Sequence, residues 1–171
     1  IGGLLIIGEK RFKQGDWLNI EGVSEGEVEK IDFRSTLIRR FDKAPIFVPN
    51  SVLSDSEIIN FSEMPFRRIR FNVGLIYQTT PETILNIRKD IEDYVAKNDD
   101  LVNADEATTT IRVTQFNDSS IDLLIYCFTK STRWYDYTKA KEDLILEIIK
   151  IVKNNGSDFA YPTQTIHLEK D

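Results

Sequence analysis

Ile69-Arg70-Phe71-Asn72-Val73-Gly74-Leu75-Ile76-Tyr77 is the stretch whose reading decides the fold. Ile69, Phe71, Val73, Leu75 and Tyr77 fall on alternate positions, so the stretch reads as a strand with one apolar face. Thr80-Pro81 then opens a helix, since Thr supplies an N-cap oxygen and Pro suits the first helical position. Ile84, Ile87, Ile91, Tyr94 and Val95 recur at helical spacing and mark its inner face. Ile111-Arg112-Val113-Thr114 and the run Ile121 to Phe128 read as two more strands, joined by the turn residues Asn117-Asp118-Ser119-Ser120. A second helix starts near Trp134, with Tyr137, Ala140, Leu144, Ile148, Ile151 and Val152 inward. Asn154-Asn155-Gly156 ends it, with Gly free to take the left-handed C-terminal position. Thr165-Ile166-His167-Leu168 is the expected last strand.

The order is β-α-β-β-α-β, so residues 63–171 are predicted to form an α+β ferredoxin-like domain. Working upstream, Ser62-Glu63-Met64-Pro65 reads as a linker, because Pro65 denies helical geometry to the residue before it. Before the linker the grammar changes to short strands with turn punctuation. Trp17 to Ile20, a bent strand within Glu25 to Arg34, Ser35 to Phe41, Ile46 to Val48 and Glu57 to Asn60 predict an all-β small barrel over residues 14–62. In Ser35 to Phe41, Thr36, Ile38 and Arg40 face one way and Leu37, Arg39 and Phe41 the other. The chain opens on Ile1-Gly2-Gly3-Leu4-Leu5-Ile6-Ile7-Gly8, far short of the roughly 20 residues that span a bilayer. It reads either as a buried first strand or as the end of a longer apolar helix meeting water at Glu9, Lys10 and Arg11.

Composition narrows the function classes. The chain has 171 residues and a formal charge of −6. Eight basic residues stand against ten acidic ones up to Ser62, and fourteen against eighteen after it, so both regions are mildly acidic. That balance disfavours nucleic acid, whose binding wants a basic stripe. One Cys and one His remove a disulfide framework, a Cys-based zinc site and any two-His metal site. Cys127 lies in the apolar run Leu124 to Phe128 and reads as a buried, inert thiol. His167, between Ile166 and Leu168, reads as structural. Glu92-Asp93 and Asp99-Asp100 are adjacent pairs whose members point apart on a helix, so spacing alone makes no acid/base site. Gly22 to Gly26 is no phosphate loop, because no Lys-Ser/Thr follows. Arg67, Arg68 and Arg70 form the densest positive feature, either a place for an anion or a solvated strand end. No catalytic constellation emerges, and neither an enzyme nor a cofactor is expected.

An ordered set of short motifs carries a resemblance. Gly2 to Ile7, Glu9 and Phe12-Lys13-Gln14-Gly15-Asp16-Trp17 come first. Gly22, Gly26, Val28, Ile31 and Arg34-Ser35-Thr36 follow, then Ile38-Arg39, Pro49-Asn50-Ser51 and Ile59-Asn60. Phe41-Asp42-Lys43-Ala44-Pro45 with Val48-Pro49-Asn50 is similar to one branch in which Lys replaces a turn Gly. Trp134, Phe159, Tyr161-Pro162, Gln164-Thr165 and His167-Leu168 close the series. In this order and spacing the chain resembles the cytoplasmic vestibule region of the MscS-type mechanosensitive channel family. Two positions depart: Arg11 stands where the family usually has Pro, and Glu27 where it usually has Thr.

The resemblance implies that residues 1–13 are the end of a truncated pore helix, that 14–62 form the β domain, and that 63–171 form the α/β domain. It implies a homo-oligomer, a heptamer in the full-length channel, joined to the inner membrane through N-terminal helices with this region facing the cytoplasm. Such a channel opens under membrane tension and releases ions and osmolytes in hypo-osmotic shock. Side openings into the vestibule lie near the domain junction, which would place Arg67, Arg68 and Arg70 at a portal rim. Gly15, Asp16, Trp17, Gly22, Gly26, Arg34, Ser35, Thr36, Pro49 and Asn50 take scaffold roles, and no cofactor or nucleic acid is involved. The competing expectation is a soluble Sm-like barrel joined to a ferredoxin-like module, reading RNA or a small regulatory ligand.

Overall fold

The structure is a computed structural model that describes residues 11–162. The expected strand Thr165 to Leu168, with His167, lies outside the described residues, as does the apolar opening before Arg11. The chain divides into two compact units, Ile1–Met64 and Pro65–Asp171.

The first unit contains β1 (Trp17–Ile20), β2 (Ser24–Ile31), β3 (Ser35–Arg39), β4 (Pro45–Pro49), helix α1 (Asn50–Asp55) and β5 (Ile58–Asn60). They form one sheet in the order β4-β3-β2-β1-β5, with antiparallel neighbours throughout. Alternation does the sorting. Leu18, Ile20, Val28, Ile38 and Val48 point inward and are buried, as is Thr36. A bulge between Val28 and Lys30 bends β2 where its sequence is polar. Among the described residues no ladder joins β4 to β5. Leu53, fully buried, instead closes the apolar face from α1. The sequence reading missed α1, because six residues are too few for a helical period to show.

Two backbone positions in this unit are special. A Cβ on Gly26 would sit 2.6 Å from the Arg39 carbonyl oxygen, so β2 and β3 approach there only because the side chain is absent. Lys43 adopts φ 73° in the turn before β4, a conformation that costs a non-Gly residue about 1–2 kcal/mol.

The second unit contains β6 (Arg67–Leu75), α2 (Pro81–Lys97), β7 (Thr110–Phe116), β8 (Ile121–Thr129) and α3 (Trp134–Asn154). Its antiparallel sheet has the order β6-β8-β7, with β8 central. Ile69, Val73 and Leu75 of β6, Ile111 of β7, and Leu123, Ile125 and Cys127 of β8 share one buried cluster with both helices. Ile87, Ile91 and Val95 enter it from α2; Ala140, Leu144, Ile148, Ile151 and Val152 enter from α3. The Thr80 hydroxyl accepts the Thr83 N–H at 3.2 Å and caps α2. Gly156 follows α3 at φ 74°. Beyond it, Phe159 bridges antiparallel to Leu75 at the edge of β6. Tyr77 differs from the sequence reading: it lies past the end of β6, half-exposed, and stacks on Phe116.

The helix-on-sheet core should dominate the stability of the second unit. Leu144→Ala is expected to cost about 2–5 kcal/mol, because a fully buried Leu leaves a cavity. Glu142→Ala, on the exposed face of α3, should stay within about 0.5 kcal/mol. Urea unfolding of the two variants measures the difference.

Candidate functional site

The sequence motifs of the first unit converge on buried hydrogen bonds. Asn50 follows Pro49 at the start of α1 and is 1% exposed, so its amide must be satisfied inside the protein. Its Nδ2 donates to the carbonyls of Asp32 (2.8 Å) and Phe33 (3.2 Å), and its Oδ1 accepts the Thr36 hydroxyl at 2.8 Å. Its backbone N–H donates to the Arg34 carbonyl at 2.9 Å. Ser35 pairs with Pro49 across β3 and β4. Arg34-Ser35-Thr36 and Pro49-Asn50 are therefore one clamp, which fixes the β2–β3 turn to the entry of α1.

A second clamp lies around Gly15, Asp16 and Trp17. Gly15 takes φ 90° at the turn and Gly22 φ 72° between β1 and β2. The buried Asp16 carboxylate accepts the Lys13 N–H and the Asn60 Nδ2, both at 2.9 Å. Asn60 in turn accepts the Ser62 N–H at 3.0 Å, so one residue ties the first turn to the end of β5. Trp17 packs against Phe61 and Phe41 at ring separations of 4.4 and 5.7 Å, while its indole N–H donates to Glu25. Arg11, one of the two family departures, sends its guanidinium to the carbonyls of Ser54 and Ser56 at 3.2 and 3.1 Å. A cation there satisfies carbonyls that the end of α1 leaves without intrahelical donors. The sequence offered no signal for that contact, because the partners are separated by more than forty residues. Glu27, the other departure, is exposed between Trp17 and Arg39 in the sheet register.

The three arginines do not act together. Arg67 lies on the helix-facing side of β6, with its guanidinium carbon 4.4 Å from the Tyr137 ring centre and 5.0 Å from that of Trp134. It also donates to the Thr132 carbonyl at 3.2 Å. Arg68 and Arg70 point to the opposite face, away from α2 and α3, and are exposed. Tyr126 and Phe128 of β8 lie on the same face, with Arg68 6.0 Å from the Tyr126 ring. Among the described residues Arg68 and Arg70 form no ion pair with a carboxylate.

The remaining chemically capable groups have structural partners. Cys127 is fully buried, and burial pushes its thiol up to about 12. Glu92 bonds Arg112 of β7 at 2.9 Å instead of pairing with Asp93. The buried Asp122 carboxylate accepts hydrogen bonds from Ser120, Gln115 and Asn117, led by the Ser120 hydroxyl, which holds it below the usual carboxylate range. This network supports the β7–β8 turn, and sequence reading saw only the turn residues. Among the described residues no group of three or more His, Cys, Asp or Glu side chains is arranged to hold a metal. None of the described helices is long and apolar enough to cross a membrane.

Two measurements check these assignments. Asn50→Ala should lower stability by about 1–3 kcal/mol or more, since it strands buried partners. Thr36→Val combined with Asn50→Ala should cost less than the sum of the single changes, the signature of a shared bond. Native Cys127 should resist a thiol reagent at pH 8 and react fully after unfolding in guanidinium.

Comparisons with known proteins were made against this geometry. Residues 1–63 match the family model described as the mechanosensitive ion channel beta-domain, and residues 69–159 match that of the mechanosensitive ion channel MscS C-terminal region. The chain is 34% identical to the low conductance mechanosensitive channel YnaI of Escherichia coli, over 98% of this chain and 48% of that protein. It is also 34% identical to the small-conductance mechanosensitive channel MscMJ of Methanocaldococcus jannaschii, over 100% of this chain and 47% of that one. Among solved structures, the cryo-EM structure of Arabidopsis thaliana MSL1 aligns with a TM-score of 0.84 at 25% identity, covering 95% of this chain and 57% of that one. The crystal structure of Helicobacter pylori MscS in its closed state aligns with a TM-score of 0.78 at 27% identity, covering 99% and 64%. The chain thus spans about half the length of these curated channels.

Proposed function

We propose a role for this chain from one premise: it belongs to the MscS family of mechanosensitive channels. In that role it is the vestibule part of a channel that opens under membrane tension and releases ions and osmolytes in hypo-osmotic shock. The observation that carries the reading is the family match over residues 69–159, a range that holds both helices of the second unit and its described sheet apart from the first two residues of β6. The full-length protein is then a homo-oligomer, a heptamer, anchored in the inner membrane by segments N-terminal to the β domain, with this region facing the cytoplasm. Residues 1–13 are assigned to the end of the pore helix, 14–62 to an Sm-like β domain and 63–171 to a ferredoxin-like domain. The strand order β6-β8-β7 with two helices on one face supports the last assignment. The chain needs no catalytic residue or cofactor for this work; its motif residues hold shape. The RNA-binding alternative gains no support from the family.

Arg67, Arg68 and Arg70 are proposed as rim charges of a side portal, with a division of labour. Arg67 is an anchor held over two aromatic rings, whereas Arg68 and Arg70 present their charge to water. A narrow aqueous opening focuses the field of nearby charges, so two arginines can bias ion entry in a chain of net charge −6. The experiment uses the full-length channel in patch-clamped membranes. Suction should open it, and Arg68→Glu with Arg70→Glu should move the reversal potential toward cations under a KCl gradient. The shift should shrink at high salt. An unchanged reversal potential with intact gating would return both residues to an ordinary solvated surface, and absence of tension-evoked current would overturn the channel role.

A further inference from the structure

The sheet face of the second unit that turns away from α2 and α3 sets charge beside aromatic rings. Each exposed arginine of β6 stands directly across from a ring of β8, Arg68 from Phe128 and Arg70 from Tyr126. Directly opposed residues lie about 4.5–5.5 Å apart at Cβ, so the four side chains make one compact patch. Both rings are half-buried, which leaves part of each within reach of solvent. They meet edge to face, with centres 5.5 Å apart and planes at 82°. The Arg68 guanidinium carbon lies 6.0 Å from the Tyr126 ring centre.

The other charges around the patch have partners or stand beyond it. Arg112 of β7 is opposite Leu124, one row on, but its guanidinium is bonded to Glu92 of α2 at 2.9 Å. Asp122 shares the face two residues before Leu124; it is buried and accepts hydrogen bonds from Ser120, Gln115 and Asn117. Lys130 is exposed just past β8, with its N–H bonded to the carbonyl of exposed Asp100 at 3.0 Å, so a cation and an acid stand together beyond Phe128. Within the patch itself, Arg68 and Arg70 have no carboxylate partner among the described residues.

We propose that this patch binds a nucleoside monophosphate, its phosphate on Arg68 and Arg70 and its base on the rings of Tyr126 and Phe128. A guanidinium donates paired N–H bonds to phosphate oxygens, and two of them on one strand face suit a doubly charged phosphate. A ring beside them offers a flat apolar surface on which a base can stack. An inorganic anion would use the arginines and leave the rings idle, and an uncharged aromatic compound would do the reverse. A nucleic-acid strand needs successive stacking surfaces and a basic groove along its backbone. Here one ring stands edge-on to the other, and the positive row is two residues long in a chain of net charge −6. One nucleotide is what fits. The inference names an occupant for the proposed rim charges, and it rests on the portal reading only for its effect on ion flow.

The test is equilibrium dialysis of labelled AMP against the full-length protein in detergent at low salt. AMP should bind at least about tenfold more tightly than adenosine or inorganic phosphate, the margin that one base–aromatic stack supplies. Arg68→Gln with Arg70→Gln should lower AMP affinity to that of adenosine. Tyr126→Leu with Phe128→Leu should lower it to that of inorganic phosphate, and phosphate binding retained by this variant shows that its sheet is intact. Lys150→Gln, which removes a charge from α3 on the other side of the sheet, should leave AMP binding unchanged. Equal affinity for AMP and phosphate would reduce the patch to an anion site and overturn the proposal. A short oligoribonucleotide that binds far more tightly than AMP would assign the face to a strand and also overturn it. No AMP binding, with Arg68→Glu and Arg70→Glu still moving the reversal potential, would overturn the occupant and leave the portal reading standing. AMP binding that both arginines support, with an unchanged reversal potential, would uphold the site and overturn the portal reading alone.

Discussion

Leu144 and Ile148 of α3 share a buried cluster with Leu123, Ile125 and Cys127 of β8, and this helix-on-sheet contact sets the terms for the second unit. A three-stranded sheet cannot be stable with both faces in water, so one face must be covered by the same chain. Two helices do so, and β8 sits between β6 and β7 as the strand that forms a ladder with each of them. The consequence is an asymmetric body: one sheet face is sealed, while the other carries Arg68, Arg70, Tyr126 and Phe128. The placement of charge follows from the pleat, since residues two apart on β6 share a face.

The first unit solves the same problem with less material. Its sheet has one apolar face, and a six-residue helix supplies the buried Leu53 that completes the cover. So small a core leaves little margin, and polar clamps fix what the apolar contacts leave loose. The Asn50 side-chain amide makes three hydrogen bonds within the protein and its backbone N–H a fourth, while Asp16 joins the first turn to Asn60. Buried polar groups of this kind contribute little net energy when paired and cost heavily when orphaned, so they specify one arrangement against its neighbours. The motif residues of the family therefore read as geometry, not as chemistry.

That distinction bears on function. The proposed vestibule role asks for walls that hold shape and for surfaces that join copies, and it asks for no nucleophile. Cys127 is sealed in the core, and Glu92 is spent on a surface ion pair with Arg112. What the surface offers instead is the charge of Arg68 and Arg70, without an ion pair among the described residues, on one sheet face, and exposed apolar side chains on α3 and β7.

Local pattern by itself determined much of this molecule. The alternation of Ile69 to Leu75, the Thr80-Pro81 start, the helical spacing of Ile87, Ile91 and Val95, and the Gly156 stop are all written within a few residues of where they act, and the structure follows them. The ordered motifs likewise revealed the family before any coordinates. Tertiary structure alone decided the rest, because the deciding contacts join residues far apart in sequence. Helix α1 carries no periodic signal and exists because Leu53 completes a core and Arg11 meets its last carbonyls. Arg67, Arg68 and Arg70 are neighbours in sequence, yet the pleat and the rings of Trp134 and Tyr137 take the first from the other two. Tyr77 continued the alternation on paper but lies beyond the last ladder pair of β6, where Phe116 from another strand gives it a partner.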